Sequence, residues 1–511
     1  MAHFTVPEID GFYIASKFII ALLVLVAYFI SGAIHNVFFH PLSKIPGPPT
    51  WSVSRLPYVW SLLRGMSNHD AEKLHRKYGP VVRIAPNEVS FAGEEAYRDM
   101  FQVRPGDKQY HRDPAWWEPQ PGFPSNILSA NPATHSRIRK SFAPAFTPRA
   151  LKSQESILHQ YIDLLVERLR DRTKAASGEK SARIDITSWS SYTMFDIMGN
   201  LGFGDTFNSL QDPRAQQWSA LLFKAAKAST WVASARLYPL AQSLLLRCIP
   251  SSLLETHKDN YNRINNKVQQ RLNVEMQRPD ILSYILKDGK EALPIGEINS
   301  TFMAFIIAGG ETSASHVAGT LNYLVNRPEK LSKLAHEIRS RFLDNSEITV
   351  DSLQDLPYLN AVINEGFRMC PPIPWLPPRI VPEGGGTVCG TQLPGGTMVS
   401  IQAYTINRDP TYFHSPSSFE PERWLPEAST DPQSPYFKDH RGAVHPFSIG
   451  PWNCIGQHIA MAEVRLTLSK LVRTFDFEAI EGVKVNWEDF RVFTVPEKKP
   501  IEVRIKLAEV S

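Results

Sequence analysis

The sequence predicts a mainly α-helical fold with small β-sheets (α+β), standing behind one N-terminal membrane-spanning helix. Three observations carry this. Helical periodicity of apolar residues runs from about Pro148 to Ser340, interrupted by turns at Asp212-Pro213, Arg278-Pro279 and Leu293-Pro294. The strand-like runs are short and scattered: Val81 to Ile84 with Glu88 to Phe91 as its hairpin partner, Arg379 to Val381, and Gly396 to Ile401. Phe18 to Phe39 is a run of 22 residues without Asp, Glu, Lys or Arg, enough to cross a hydrocarbon core of about 30 Å as a tilted helix.

With 511 residues, 43% of them hydrophobic, the chain can bury a large core. Its 55 basic residues face 51 acidic ones, for a net charge of +4, and that balance argues against nucleic acid as a partner. Cys248, Cys370, Cys389 and Cys454 stand singly, which points to a reducing compartment rather than a disulfide scaffold. No C-x-x-C pair supplies the four ligands of a closed zinc site.

In order, the chain divides into a short segment 1–17, an anchor 18–39, a proline-rich connector 40–50 and one large body 51–511. Lys44, Arg55 and Arg64 follow the span while Glu8 and Asp10 precede it, so the positive-inside rule puts the body in the cytosol; Lys17 counts the other way. A cleavable signal peptide is the rival reading, because Ser31-Gly32-Ala33 resembles a small-residue cleavage site. The connector reads as stiff and without helical character. Pro105 to Pro124, with five prolines and Trp116-Trp117, reads as a long functional loop; together with Trp218 to Leu245 it is the expected apolar pocket lining.

Helical pattern returns at Ala133 to Lys140, where His135 and Arg139 share a face; a solvated basic face would give the same pattern. Ile298 to Leu324 is the most apolar helix of the body and contains Ala308-Gly309-Gly310-Glu311-Thr312-Ser313. Two glycines inside a helix cost about 1 kcal/mol each relative to alanine. A ligand pressing on a kinked helix would explain them, with Glu311 and Thr312 as an acid and a hydroxyl able to move protons. Tight packing on a neighbour, with Glu311 in a salt bridge, explains them too. Glu365 and Arg368 lie at i, i+3 on an amphipathic helix, and Arg423 in the loop Phe419 to Trp424 could reach them.

The stretch Phe447 to His458 is a loop that turns at Gly450-Pro451 and becomes a helix from Gln457. Cys454 is therefore expected near a helix N-terminus, which favours a thiolate and hence a strong ligand for a soft or borderline metal. Gly456 would let a flat cofactor approach the backbone. A buried structural cysteine is the plain alternative.

Taken in register, four of these motifs resemble the microsomal cytochrome P-450 monooxygenases, in the style of fungal members that tailor secondary metabolites. They are Ala308 to Ser313, Glu365 with Arg368, Pro421 to Trp424, and Phe447 to Gly456, and the resemblance covers about residues 40 to 505. It implies heme b, with Cys454 as the thiolate ligand of the haem iron. It further implies Glu311 and Thr312 delivering protons to dioxygen, and Glu365, Arg368 and Arg423 as a buried structural network. His135, Arg139 and Arg379 would hold the propionates, with Phe447, Trp452 and Gly456 completing the cofactor site. The family's usual arginine two residues before the cysteine is Trp452 here, which weakens one clamp; an arginine restored at 452 is expected to be tolerated. The implied setting is the endoplasmic reticulum membrane, single-pass, with the catalytic domain facing the cytosol and in contact with membrane lipid. The implied electron source is NADPH through a partner reductase, with cytochrome b5 as a further candidate donor. The implied substrate is an apolar small molecule such as a terpenoid, polyketide or alkaloid intermediate. The alternative is an oxygen-independent haem-thiolate isomerase or dehydratase, against which the intact Glu311-Thr312 pair counts.

Overall fold

The helix Ile295–Val325 is apolar on nearly every side because nearly every side is buried. It packs against Ile186–Phe203, Pro357–Met369 and Gln457–Thr474, so the body is built around it. The computed structural model describes residues 11–102, 109–119, 122–176, 181–248, 250–274, 278–287 and 293–509. Part of the expected pocket-lining loop, residues 105–108 and 120–121, lies outside them, as does most of the short N-terminal segment.

Small sheets flank the helical body. The largest runs in the order Val81–Ala85, Glu88–Phe91, Met398–Ile401, Leu376–Ile380, His111–Arg112. Its first two strands form the expected antiparallel hairpin, Glu88–Phe91 pairs in parallel with Met398–Ile401, and the other pairings are antiparallel. Gly79, at φ 96°, closes the preceding helix Ser67–Tyr78 in a conformation that only glycine adopts cheaply. A second sheet orders Ser181–Asp185, Glu502–Leu507 and Phe475–Ala479. The first of those strands falls inside the stretch whose periodicity reads as helical. Five residues ending at an N-cap aspartate are too few to reveal a period, and pairing to the distant C-terminal strand is what makes them extended.

Four other local expectations change. The expected anchor is helical from Gly11 to Ile34 and ends in a five-residue π-turn, His35–Phe39; its apolar run Ser16–Phe39 is long enough to cross a membrane and has no buried residue. The connector is not free of helix: Pro49 begins the helix Pro49–Val53, where a missing N–H costs nothing. The buried Arg83 fastens this region, donating to the carbonyl of Asn36 at 2.8 Å and receiving the connector through its own N–H on Pro46. The stretch Pro105 to Pro124 holds the strand His111–Arg112 and the helical turn Pro114–Trp117, the latter capped by Asp113. Phe419 to Trp424 ends in a short 3₁₀ turn, Pro421–Trp424.

The central helix also stays α-helical through Gly309 and Gly310. A Cβ at Gly309 would meet Met198 Sδ at 2.6 Å, and one at Gly310 would meet Phe195 Cε2 at 2.9 Å. Both neighbours lie on Ile186–Phe203, so helix-on-helix packing explains the glycines and no kink is required. Alanine regains about 1 kcal/mol of helix propensity at either site, while forcing extra bulk into a packed core costs about 1–3 kcal/mol. Methionine can yield and a clamped phenylalanine ring cannot. Gly310→Ala should therefore lower stability by about 1 kcal/mol and Gly309→Ala by less than about half of that, read from denaturant midpoints of the two variants.

Candidate functional site

Three residues fix the cysteine loop. Gly450, at φ 76°, could not be anything else, since a Cβ there would sit 2.0 Å from the carbonyl oxygen of Phe101. Cys454 N–H donates to the carbonyl of Phe447 at 2.8 Å and closes the loop. The helix Gln457–Thr474 then starts after Gly456, so Cys454 precedes the helix rather than opening it. The thiol is surface-accessible, yet burial pushes its pKa up against the opposing pull of the Gly456 N–H and Arg139. A Cβ at Gly456 would meet nothing nearer than Cys454 Sγ at 3.9 Å, so no other protein atom crowds that side of the loop.

Trp452 is the centre of a cluster of cations. Its ring stacks on His135 at 3.6 Å and 22°, with the Arg112 guanidinium over it at 3.9 Å and that of Arg379 at 5.4 Å. Arg112 also lies 4.3 Å from the Trp117 ring. Arg112 and Arg379 meet because they are direct cross-strand partners. Arg139 joins through Asn453, donating to its carbonyl at 2.7 Å and to its Oδ1 at 2.6 Å. His135 is buried, so the solvated-face reading of the His135/Arg139 pair fails for the histidine. Burial, reinforced by Arg112, Arg139 and Arg379, pulls its imidazole down to about 4 and leaves it neutral at pH 7. Burial also lowers Arg379 to about 10 and Arg112 well below the usual guanidinium range. Among the described residues none of the three arginines has a carboxylate partner. Three half-paired guanidiniums around an accessible thiol suit a flat group that carries its own carboxylates.

On the central helix only Ile307, Ala308, Gly309 and Thr312 are more than marginally accessible between Ile298 and Val325. Thr312 Oγ donates to the Ala308 carbonyl at 2.5 Å, and both residues face open space. Glu311 points elsewhere: it is buried and paired with Lys498 at 2.9 Å. Glu365 receives a two-pronged contact from Arg368, at 2.9 and 2.6 Å, together with Arg423 Nε at 3.2 Å, Trp424 Nε1 at 2.8 Å and the Glu420 N–H at 2.7 Å. The side chains of Glu365, Arg368 and Arg423 are 0% exposed. Burial, the largest single influence, pushes the Glu365 carboxyl up, and Arg368 with Arg423 more than reverses it. Arg423 also meets Asp439.

Sequence reasoning missed Arg112, Asn453, Asp439 and Lys498. Arg112 had one available signal, its place in a tryptophan-containing loop; the other three carried none.

The chain matches the sequence profile of the cytochrome P450 family over residues 46–503. It is 36% identical over 509 residues to a cytochrome P450 monooxygenase, lcsI, of Purpureocillium lilacinum, covering 98% of this chain and 96% of that one. It is 36% identical over 485 residues to the trichothecene C-4 hydroxylase of Trichoderma arundinaceum, covering 94% and 95%. It is 34% identical over 499 residues to the averantin hydroxylase of Dothistroma septosporum, covering 96% and 92%. The haem-thiolate chemistry of that family fits the accessible thiol and the unanswered cations, and the chain belongs to the cytochrome P450 family as a monooxygenase using heme b, dioxygen and NADPH-derived electrons.

Proposed function

We propose that the protein hydroxylates or otherwise oxidises an apolar small molecule of fungal secondary metabolism, a terpenoid, polyketide or alkaloid intermediate. Cys454 would hold the haem iron through its sulfur in this reading. The observation that carries it is the cluster of Arg112, Arg139 and Arg379 around Trp452, which has no carboxylate of its own. Arg112, Arg139 and Arg379 hold the propionates as cations, and neutral His135 contributes an N–H. Trp452 replaces a charge with a ring face that gathers two guanidiniums. Gly456 leaves room beside the thiol, and Phe447 anchors the loop through its carbonyl. Haem, once bound, supplies the reductive activation of dioxygen, with thiolate donation favouring O–O cleavage. Thr312 offers its Oγ proton at the open face of the central helix, and Glu311 behind it supplies the acid. Glu365, Arg368 and Arg423 keep the segment 414–418, which precedes the cysteine loop, in place.

Electrons arrive from a membrane reductase, with cytochrome b5 as a second donor. The anchor holds the protein in the endoplasmic reticulum bilayer as a single pass, and the body faces the cytosol. Both named hydroxylases among the relatives support oxidation by hydroxylation. Product analysis after co-expression with a reductase, fed extracts of the source organism, identifies the substrate; an unchanged extract would defeat the proposal.

Four single variants and one double variant test the assignments. Cys454→Ser should abolish the red-shifted Soret band of the reduced carbon monoxide complex, because a hydroxyl cannot replace thiolate donation. Arg112→Leu should lower haem occupancy, measured as Soret absorbance per protein. Trp452→Arg should lower it as well, contrary to what the sequence suggests, since it adds a guanidinium beside three others and removes ring contacts worth about 0.5–2 kcal/mol each. The double variant should recover occupancy towards wild type. Thr312→Ala should leave haem binding intact while product per NADPH falls and peroxide rises. A proton relay is worth about 10²- to 10⁴-fold where no water stands in. Turnover that needs neither dioxygen nor NADPH would instead establish the isomerase or dehydratase alternative.

A further inference from the structure

His316 follows Thr312 by about one turn of the central helix, where the open face gives way to contact with the helix Pro357–Met369. It is 1% exposed, and neither ring nitrogen has a hydrogen-bond partner among the described residues. Burial pulls the imidazole down to about 3, so it is neutral at pH 7. A sealed polar group without a partner costs stability that an aliphatic side chain in the same place would keep. What the imidazole supplies instead is a flat ring. It stacks on Phe367 at 3.8 Å and 18°, and Phe367 meets Phe447 edge to face at 5.3 Å and 69°. Phe447 is the residue whose carbonyl receives the Cys454 N–H at 2.8 Å. Three rings thus connect the central helix to the cysteine loop. The helix Pro357–Met369 makes room for the first of them with Gly366, where a Cβ would lie 2.8 Å from His316 Cε1. The backbone that carries Phe367 is itself fixed, because Glu365 and Arg368 beside it are locked in their buried ion pair. Only the side-chain torsions of Phe367 could change, and the stack on His316 holds them.

We propose that His316 is a positioning residue for Cys454: the thickness of the stack on Phe367 sets where Phe447 lies, and Phe447 sets the place of the sulfur. The inference rests on the reading of Cys454 as the ligand of the haem iron. With His316 shortened, Phe367 turns into the space left behind and Phe447 follows it, since a packed core closes only part of a cavity and does so by moving the nearest rings. The carbonyl that orders Cys454 then loses its fixed position.

Resonance Raman spectra of the ferric, full-chain holoenzyme read the iron–sulfur stretch, identified by its shift on labelling cysteine with heavy sulfur. His316→Ala should lower and broaden that stretch, and Phe367→Leu should do the same. The double variant should add nothing beyond the larger single effect, because both changes act on Phe447 through one stack. His316→Leu fills the volume without a flat ring; it should shift the stretch as well, and it serves in place of His316→Ala if that variant does not fold. Phe203→Leu is the control for a merely structural role. It opens space elsewhere in the core, at the Phe203–Phe302 contact of 4.9 Å, and should lower the denaturant midpoint while leaving the stretch where it is in wild type. A stretch unmoved in the His316 variants, a shift of the same size in Phe203→Leu, or additive shifts in the double variant would each overturn the proposal. A wild type with no label-sensitive stretch would defeat the Cys454 reading and this inference with it, whereas a label-sensitive stretch that ignores His316 leaves Cys454 as the ligand and removes His316 alone.

Discussion

Arg112 and Arg379 stand opposite each other across two antiparallel strands, where like charges destabilise a sheet most directly. Arg139 approaches the same place from a helix. The ring of Trp452 softens the repulsion by presenting an electron-rich face to two of the three guanidiniums, and it does not cancel it. Such a cluster is tenable when an anion lies against it. Much of the architecture serves to bring these cations together: the outermost strand pairing supplies two, the helix Pro132–Phe142 a third, and the Gly450 turn places Trp452 among them.

The network around Glu365 shows how this protein treats charge when nothing external is to be bound. Every oxygen of that carboxylate is met, Arg368 spends its remaining N–H groups on the carbonyls of Asn407, Pro416 and Ser418, and Arg423 reaches Asp439. Removing any partner would strand a buried charge, which costs about 3–5 kcal/mol. Both sites gather arginines around a tryptophan, but Glu365, Arg368 and Arg423 are fully buried, whereas Arg112 and Arg139 are only partly so. What separates them is whether the protein answers its own charges.

The helical body, the hairpin, the cysteine loop and the N-terminal apolar helix were legible in the sequence because each is set by a local signal: a period, a glycine-proline turn, an apolar run. The strand Ser181–Asp185 was not, because its partner lies more than 300 residues away and five residues carry no period of their own. Arg112 showed only its place in a tryptophan-containing loop, and it takes the register with Arg379 to make it part of the site. The Gly309-Gly310 pair was visible and suggested a kink at a ligand; the atoms that require the glycines instead belong to Met198 and Phe195, on a helix the sequence could not place.

That packing sorts the residues of the central helix by face. Successive residues on an α-helix are about 100° apart, so neighbours in sequence look in different directions. Gly310 and Glu311 are turned into the core, towards Phe195 and Lys498, while Ala308 and Thr312, four apart, share the open face. The acid and the hydroxyl are adjacent in the chain and separated in space by the shoulder of their own helix. In the proposed relay, a proton would cross from a buried ion pair to an accessible hydroxyl. In that relay the step would need either a rotation of Glu311 away from Lys498 or a water between acid and hydroxyl.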